Sequence, residues 1–326
     1  MAYSEEDGLV TMALAVQPAV EGIHILFTVY PETDAMNPAG QVYWDAWNGG
    51  DPKMLLSTAD GLSCLWSSPE GNAWCGSVSG NIWTTAAEFE FSSPAKDEID
   101  WEVPEEAGDV AWQYTALQED SEIGLPNVSA LWGVNDTCVF AGSFEGPIHR
   151  WDGAIWTRLQ APLPEAEGMI EMHGLSERDI YAVGHSGRIL HFDGVEWSVC
   201  GMPKDYPAGT VMTGIRALPD GKTIAVDIDG NVLLGNADRG FKIVLRAAPI
   251  DFRGVALIGG QVVLASSQGA FTLMGNKIEP LKLGFMANRV FESDRKLFFI
   301  ESEQDPDPCL VEYTPGSKRL WARRTF

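Results

Sequence analysis

The stretch "VGHSGRILHFDGVEW", from Val183 to Trp197, follows a near copy of itself, "AGSFEGPIHRWDGAIW", from Ala141 to Trp156. The two copies align on their turns, Asp152-Gly153 and Asp193-Gly194, and on their closing Trp residues, each pair lying 41 residues apart. Each copy combines short runs of apolar or alternating residues with glycine-containing turns, a pattern that predicts β-hairpins. A repeat of about 40 residues is the length of one four-stranded blade of a β-propeller.

One marker position, the glycine that opens the third strand, allows the repeat to be followed through the chain. Successive markers are separated by 40, 66, 41, 43, 39 and 38 residues. They are Gly40, Gly80, Gly146, Gly187, Gly230, Gly269 and Asp307. Seven copies therefore account for residues 1–326, and they predict a single all-β domain, a seven-bladed β-propeller of four-stranded antiparallel blades.

The fourth copy shows the predicted strands most clearly, at Met169–Leu175, Asp179–Gly184, Arg188–Phe192 and Trp197–Cys200. We expect the Trp at the start of the fourth strand to pack between neighbouring blades. One stretch, "AWQYTALQEDSE" from Ala111 to Glu122, has a pattern that also allows a short helix.

The phrase "DIYAVGHSGRILHFDGVEW" resembles the repeats of bacterial propellers related to the Kelch and BNR families, in which the form vyavG–G–il–dG–W recurs. The resemblance is specific over Asn127–Cys200 and rests mainly on spacing in the other copies. It implies a seven-bladed propeller. It implies no particular activity, because propellers carry enzymes, lectins and scaffolds alike.

The sequence contains none of several common catalytic and metal-binding motifs. No G-x-S-x-G or H-E-x-x-H motif is present, and "STADGLSCLW" differs in spacing from a sialidase Asp-box. The "DIDGN" stretch suits a tight hairpin turn better than a calcium loop, since Val232 and Asp238 occupy the places where an EF-hand needs Gly and Glu. We therefore predict no catalytic residue, no metal and no cofactor.

Three residues near the ends of predicted first strands are candidates for a site in the propeller channel, because first strands line that channel. They are Trp132, His173 and Arg216. A site of this kind would belong to an enzyme or a lectin.

The composition limits which binding partners and which cellular compartment are expected for the protein. The net charge of −24, from 46 acidic and 22 basic residues, disfavours nucleic acid and anionic membranes. No run approaches the ~18 apolar residues of a membrane span, and the acidic N-terminus differs from a secretory signal. The five cysteines form no C-x-x-C pair, which indicates free thiols. We expect a cytoplasmic monomer.

The second copy is longer than the others by roughly 25 residues, which predicts an insertion at about 86–125. Twelve acidic residues and one base, Lys96, lie in it. Aromatic residues among many carboxylates are typical of a surface that docks a basic partner, although a run of like charges can also be a solvated loop. The candidate partner-binding residues are Asp97, Glu98, Asp100, Trp101, Glu102, Glu105, Glu106, Trp112 and Tyr114.

These features favour a non-enzymatic binding protein. Strong acidity on a rigid scaffold fits an immunity protein that neutralises a basic toxin or effector protein by capping its surface. The alternatives are a general interaction scaffold of a bacterial assembly, and an enzyme or lectin with its site at the channel mouth.

Overall fold

Seven antiparallel sheets make up the described part of the protein, and each takes four strands from one copy of the repeat. The computed structural model describes residues 9–31, 38–86, 89, 99–117, 126–144, 146–162, 168–293, 295–301, 308–318 and 320–326. The predicted seven-bladed propeller is confirmed. No helix in the described part of the chain has the length and apolar character needed to cross a membrane.

Each blade has four strands, and the first blade gains a short fifth strand from the insertion. Blade 1 contains β1 (Leu9–Ala19), β2 (Gly22–Pro31), β3 (Ala39–Asp45), β4 (Lys53–Thr58) and, at its edge, β8 (Trp101–Glu102). Blade 2 contains β5 (Leu62–Ser67), β6 (Ala73–Ser77), β7 (Asn81–Thr84) and β9 (Gln113–Ala116). Blade 3 contains β10 (Val128–Asn135), β11 (Cys138–Ser143), β12 (Ile148–Trp151) and β13 (Trp156–Leu159).

The remaining four blades follow in chain order without further insertions in their sheets. Blade 4 contains β14 (Met169–Ser176), β15 (Asp179–Gly184), β16 (Ile189–Phe192) and β17 (Trp197–Val199). Blade 5 contains β18 (Met212–Ala217), β19 (Thr223–Asp227), β20 (Asn231–Asn236) and β21 (Gly240–Arg246). Blade 6 contains β22 (Phe252–Ile258), β23 (Gln261–Ser266), β24 (Gly269–Met274) and β25 (Lys277–Leu283). Blade 7 contains β26 (Ala287–Ser293), β27 (Lys296–Glu301), β28 (Cys309–Tyr313) and β29 (Trp321–Thr325).

The helix considered for the stretch from Ala111 is not formed in its described part, which extends to residue 117. Gln113–Ala116 is strand β9, and it pairs with β7 as the fourth strand of blade 2. Pairing with a neighbouring strand overrides the local helical pattern. Within the described residues, the helical structure is a single 3-10 turn at Glu105–Ala107.

The repeated Asp-Gly turns have the same hydrogen bonds in both clear copies. Asp152 Oδ1 accepts from the backbone N–H groups of residues 154 and 155, and Asp193 Oδ1 accepts from those of residues 195 and 196. The glycines that follow, Gly153 and Gly194, have φ values of 92° and 100°, which favour glycine. The repeated Asp-Gly pairs are therefore explained by the backbone conformation of these turns.

The hydrophobic core lies between blades. Trp197, at the start of β17, is 4% exposed and meets Phe140 of blade 3 at 6.3 Å between ring centroids. Trp156, at the start of β13, meets Trp74 of blade 2 at 6.4 Å. Both contacts confirm that these tryptophans pack between neighbouring blades. Each sheet buries its faces against the adjacent sheets, so no blade has a complete core alone.

Hydroxyl groups at the start of several first strands connect neighbouring blades near the axis. Ser129 Oγ donates to the carbonyl oxygen of Met169 at 2.6 Å, and Thr213 Oγ1 donates to that of Phe252 at 2.7 Å. Ser63 Oγ donates to the carbonyl oxygen of Val128 in the same way. These bonds join blade 2 to blade 3, blade 3 to blade 4, and blade 5 to blade 6 through backbone carbonyl groups of the first strands.

The ring closes by packing blade 7 against blade 1, without an exchange of strands between the described chain ends. Phe27 of β2 packs with Phe298 of β27 in one buried cluster. Arg324 of β29 pairs with Asp45 of β3, which is 1% exposed, at 2.6 Å. The same guanidinium lies 5.6 Å from the ring centroid of Trp47. The charge pair thus lies beside the apolar contact at the closure.

Replacement of Arg324 with Gln should therefore destabilise the whole ring. The buried Asp45 carboxylate would lose its cation, and we expect a loss of about 3 kcal/mol in the free energy of unfolding. Arg239→Gln, at an exposed hairpin, should change it by less than about 0.5 kcal/mol. Urea denaturation measures both variants, and equal stability of the two would show that the pair does not stabilise the closure.

His149, in β12, is buried and neutral. It is 1% exposed, and neither ring nitrogen has a hydrogen-bond partner among the described residues. Burial, with a smaller contribution from the charge of Arg158, lowers the pKa of His149 to about 4. Since the unfolded chain takes up this proton below pH 6.5, the stability that depends on His149 is lost as the pH falls from about 6.5 toward 4.

His149→Phe should remove this acid sensitivity, because the replacement is an apolar ring in an apolar site. The free energy of unfolding of the variant minus that of the native protein should increase by about 2 kcal/mol between pH 7 and pH 5. Urea denaturation at the two pH values gives this difference. Other titrating groups contribute equally to the variant and the native protein, so their effects cancel in the difference. A difference that stays constant with pH would contradict the prediction.

Candidate functional site

The described part of the acidic insertion, residues 99–117, lies along the edge of blade 1 and ends in blade 2. Strand β8 pairs with β4, where Trp101 faces Thr58 and Glu102 faces Ser57. Just before β8, the carbonyl oxygen of Asp100 accepts from the Ala59 N–H at 2.8 Å. The segment therefore covers a sheet edge that would otherwise present unpaired backbone groups. Asp97 and Glu98 lie outside the described residues.

Aromatic stacking anchors the insertion to blade 2. Tyr114 of β9 stacks on Trp83 of β7, with ring centroids 4.2 Å apart and an interplanar angle of 18°. Trp101 meets the same Trp83 edge-on at 5.7 Å. Trp83 Nε1 donates to the Asp60 carboxylate at 2.8 Å, so the central ring of this group is fixed by a hydrogen bond.

The three aromatic candidates from the sequence differ in what they can do. Trp112 is 6% exposed and belongs to the core between blades 1 and 2. Tyr114 is partly buried in the stack on Trp83. Trp101 is 37% exposed, so it alone among the three presents a large area to a partner. Trp112 and Tyr114 therefore position the segment, and Trp101 is the surface aromatic.

Five carboxylates of the segment are exposed and form no ion pair with any described residue. They are Asp100, Glu102, Glu105, Glu106 and Asp109. Burial raises the pKa of Tyr43, and the charge of Glu106 raises it further, which places this carboxylate near β3. We call these five carboxylates together with Trp101 the acidic rim.

The channel is a second candidate site, and the three channel residues predicted from the sequence all line it. Its cavity has a volume of about 570 Å³ and is bounded by first strands of the blades. Trp132, His173 and Arg216 occupy equivalent positions in β10, β14 and β18, after the bulge near the start of each strand. The rings of Trp132 and His173 are 5.9 Å apart.

Buried ionisable groups surround these residues. Arg216 pairs with Glu292 of β26, which also accepts from the Leu257 N–H, and burial raises the pKa of Glu292. His173 Nδ1 accepts from the Ala217 N–H at 3.2 Å. Burial, with a smaller contribution from the charge of Arg216, lowers the pKa of His173, so its ring is neutral and carries its proton on Nε2.

The sequence predictions missed Glu171, Glu292 and Arg289, which also line the channel. Glu171 Oε2 accepts from the Ile215 N–H at 3.3 Å, and burial raises the pKa of Glu171 to about 7 against the opposing effect of Arg289. A signal for two of them was available in the repeat. Glu171 and Arg289 occupy the first-strand position where the other blades have Ala, Cys or Gly.

Comparison with known proteins gives one relative among curated sequences. Over 184 residues, the chain is 23% identical to the Immune protein Tsi7 of Pseudomonas aeruginosa, a match that covers 55% of this chain and 59% of that protein. The match thus spans only about three fifths of the relative's length. No family model matches the sequence.

Solved structures with similar folds include a β-propeller domain. The WD40 propeller domain of Doa1 has a TM-score of 0.65 and 13% identity, with 97% of this chain and 98% of that chain covered. YCF48 bound to D1 peptide has a TM-score of 0.55 and 12% identity, with 82% of both chains covered. The designed Ika8 protein has a TM-score of 0.58 and 10% identity, with 96% of this chain and 87% of that chain covered. These likenesses support the fold. The Kelch and BNR resemblance remains a prediction.

Tyr114→Ala should destabilise the protein more than Trp101→Ala does. Loss of the ring stacked on Trp83 leaves a cavity, for which we expect about 2–3 kcal/mol of lost stability, whereas the exposed Trp101 should contribute about 1 kcal/mol. Thermal and urea unfolding of the two variants test this order. The reverse order would mean that Trp101, rather than Tyr114, anchors the insertion.

Proposed function

We propose that this protein is a non-enzymatic immunity protein that neutralises a basic toxin or effector protein by binding it at the acidic rim. The observation that carries the proposal is the 184-residue similarity to the Immune protein Tsi7. The carboxylates of residues 100–109, which are exposed and form no ion pair with a described residue, also support the proposal. Binding of this kind requires a surface that is complementary to the partner in shape and charge, and it requires no catalytic reaction.

Charge favours the rim over the channel as the surface for a basic partner. The rim carries five exposed carboxylates on a protein with a net charge of −24. The channel wall contains Arg216, Arg289, Arg295 and Lys296 against two glutamates, so a cationic surface would be repelled there. Opposite charges at the rim would also steer the partner and accelerate association.

Trp101 fits the role of the apolar anchor in this surface. It is the exposed aromatic residue between Asp100 and Glu102, and its backbone is held by pairing with β4. A partly exposed Trp surrounded by charges is typical of an energetic centre in a protein–protein interface. A rigid strand under the anchor reduces the conformational entropy lost on binding.

The fold is suited to such capture. YCF48, which has a similar propeller, is bound to D1 peptide in its solved structure. We propose that this chain acts as a monomer in the cytoplasm of the cell that produces it, because an internal toxin would be met there. The interface would bury the rim in a one-to-one complex.

Charge reversal at the rim should abolish protection. We expect a neighbouring gene to encode the toxin. Expression of that gene in a host that lacks both genes should arrest growth, and co-expression of the native chain should restore it. The triple variant Glu102→Lys, Glu105→Lys, Glu106→Lys should fail to restore growth, and its association rate constant with the purified toxin should fall by roughly 10- to 100-fold at low salt.

The matched control is Glu196→Lys, Asp238→Lys, Glu279→Lys, at exposed acidic residues of blades 4 to 6. It changes the net charge by the same amount and should protect as well as the native chain. Growth arrest that persists with the native chain at comparable protein levels would overturn the immunity role. Equal protection by the two triple variants would overturn the acidic rim as the binding surface while leaving the role intact.

A further inference from the structure

The channel is cationic in a strongly acidic protein. Among the described residues that line it, four are basic, Arg216, Arg289, Arg295 and Lys296, and two are acidic, Glu171 and Glu292. In the whole chain, acidic residues outnumber basic ones by 46 to 22. Since burial raises the pKa of Glu171 to about 7, this glutamate is only partly ionised near neutral pH. Basic residues therefore outnumber acidic ones in the described channel wall, whereas acidic residues outnumber basic ones in the whole protein.

The two glutamates of the channel wall already accept hydrogen bonds from other groups in the wall. Glu292 accepts from Arg216 and from the Leu257 N–H, and Glu171 accepts from the Ile215 N–H. Lys296 pairs with Glu312 of β28 at 3.4 Å. These contacts stay within the wall, where they hold blades 4 to 7 together.

The donors of the channel are not all engaged. The Arg289 guanidinium is exposed to the channel and forms no hydrogen bond or ion pair within the described part of the chain. His173 has a proton on Nε2 for which no described residue is an acceptor, because its Nδ1 is the atom bonded to Ala217. Arg216 Nε is buried and also lacks an acceptor among the described residues. An occupant that supplies acceptor oxygens would satisfy such a set.

The channel has room for this occupant because most blades contribute a small residue at the level of Arg289. The equivalent positions in the other blades are Ala15, Cys64, Ala130, Glu171, Gly214 and Gly254. A cavity of about 570 Å³ results, which is in the size range of small-molecule sites. Trp66, Trp132 and Phe291 are among the apolar side chains of the wall.

We propose that the propeller channel binds a small organic carboxylate, whose carboxylate group pairs with Arg289 and whose apolar body lies against the tryptophan-lined wall. Arg289 is the principal partner because it has no hydrogen bond or ion pair among the described residues and lies at the level of the channel where neighbouring blades contribute small residues. Guanidinium and carboxylate groups form strong paired hydrogen bonds. This site is separate from the acidic rim and does not depend on the immunity role.

Glu171 opposes the bound anion when it is ionised, since its carboxylate lies close enough to Arg289 for that charge to affect its pKa. The other charged groups facing Glu171 are Arg216 and Glu292, which pair with each other. The affinity for the carboxylate should therefore fall as the pH rises through about 7, where Glu171 loses its proton.

Titration calorimetry of the full chain with phenylacetate tests the site, with inorganic phosphate as the comparison anion. We expect saturable one-to-one binding of phenylacetate. In Arg289→Gln, the affinity should fall at least about tenfold, the loss expected for one charge-assisted hydrogen bond. Arg239→Gln, at the exposed hairpin of blade 5, should bind as the native chain does.

The Glu171→Gln substitution should increase the affinity for phenylacetate, which a misfolded channel could not do. It keeps an acceptor for the Ile215 N–H and removes the competing charge. Its affinity at pH 8 should exceed that of the native chain by several-fold, roughly threefold or more, and the two should converge at pH 6. The gain at pH 8 separates a charge effect from a structural one.

Three results would overturn the proposal. One is the absence of phenylacetate binding to the native chain. Another is equal affinity in Arg289→Gln and Arg239→Gln. The last is binding of phosphate that equals or exceeds that of phenylacetate, which would indicate a simple anion site without a role for the apolar wall. None of these results bears on protection by the acidic rim.

Discussion

Packing of each blade against the next is the interaction on which the rest of this protein depends. A four-stranded sheet with two apolar faces has no stable form in water alone, and here each face is buried by a neighbouring sheet. Such an arrangement is complete only when the last blade meets the first. The cluster around Phe27 and Phe298 and the pair of Arg324 with Asp45 form that final contact. The channel and the rim are both positioned by this closed ring.

The closed ring separates charge into two surfaces with different chemistry. Carboxylates lie on the insertion at the edge of blade 1, where water solvates them and where a partner can reach them. The Arg289 guanidinium lies in the channel and has no hydrogen bond or ion pair among the described residues. A basic protein and a small anion would thus be bound at different places, without competition between their charges.

The insertion shows why local pattern and final structure differ. Its sequence reads as a charged loop with an optional helix, yet it contributes β8 to one blade and β9 to the next. The exposed edge of β4 offers backbone groups to β8, and the exposed edge of β7 offers them to β9, and pairing satisfies both. Neither edge is visible in the sequence of the insertion itself. The aromatic residues likewise separate into buried anchors and one exposed ring only once Trp83 is placed beside them.

The sequence by itself determined the seven blades, because a marker position that is glycine in six of the seven copies recurs, among β-prone residues, at intervals of about 40 residues. It also placed Trp132, His173 and Arg216 at the channel, because each stands at the same point of its repeat. Only the tertiary structure decided which groups in that channel are engaged. Glu292 meets Arg216 across a separation of 76 residues, and Arg289 has no such partner within the described residues. Contacts between distant blades depend on ring closure, and the sequence repeat does not predict which residues make them.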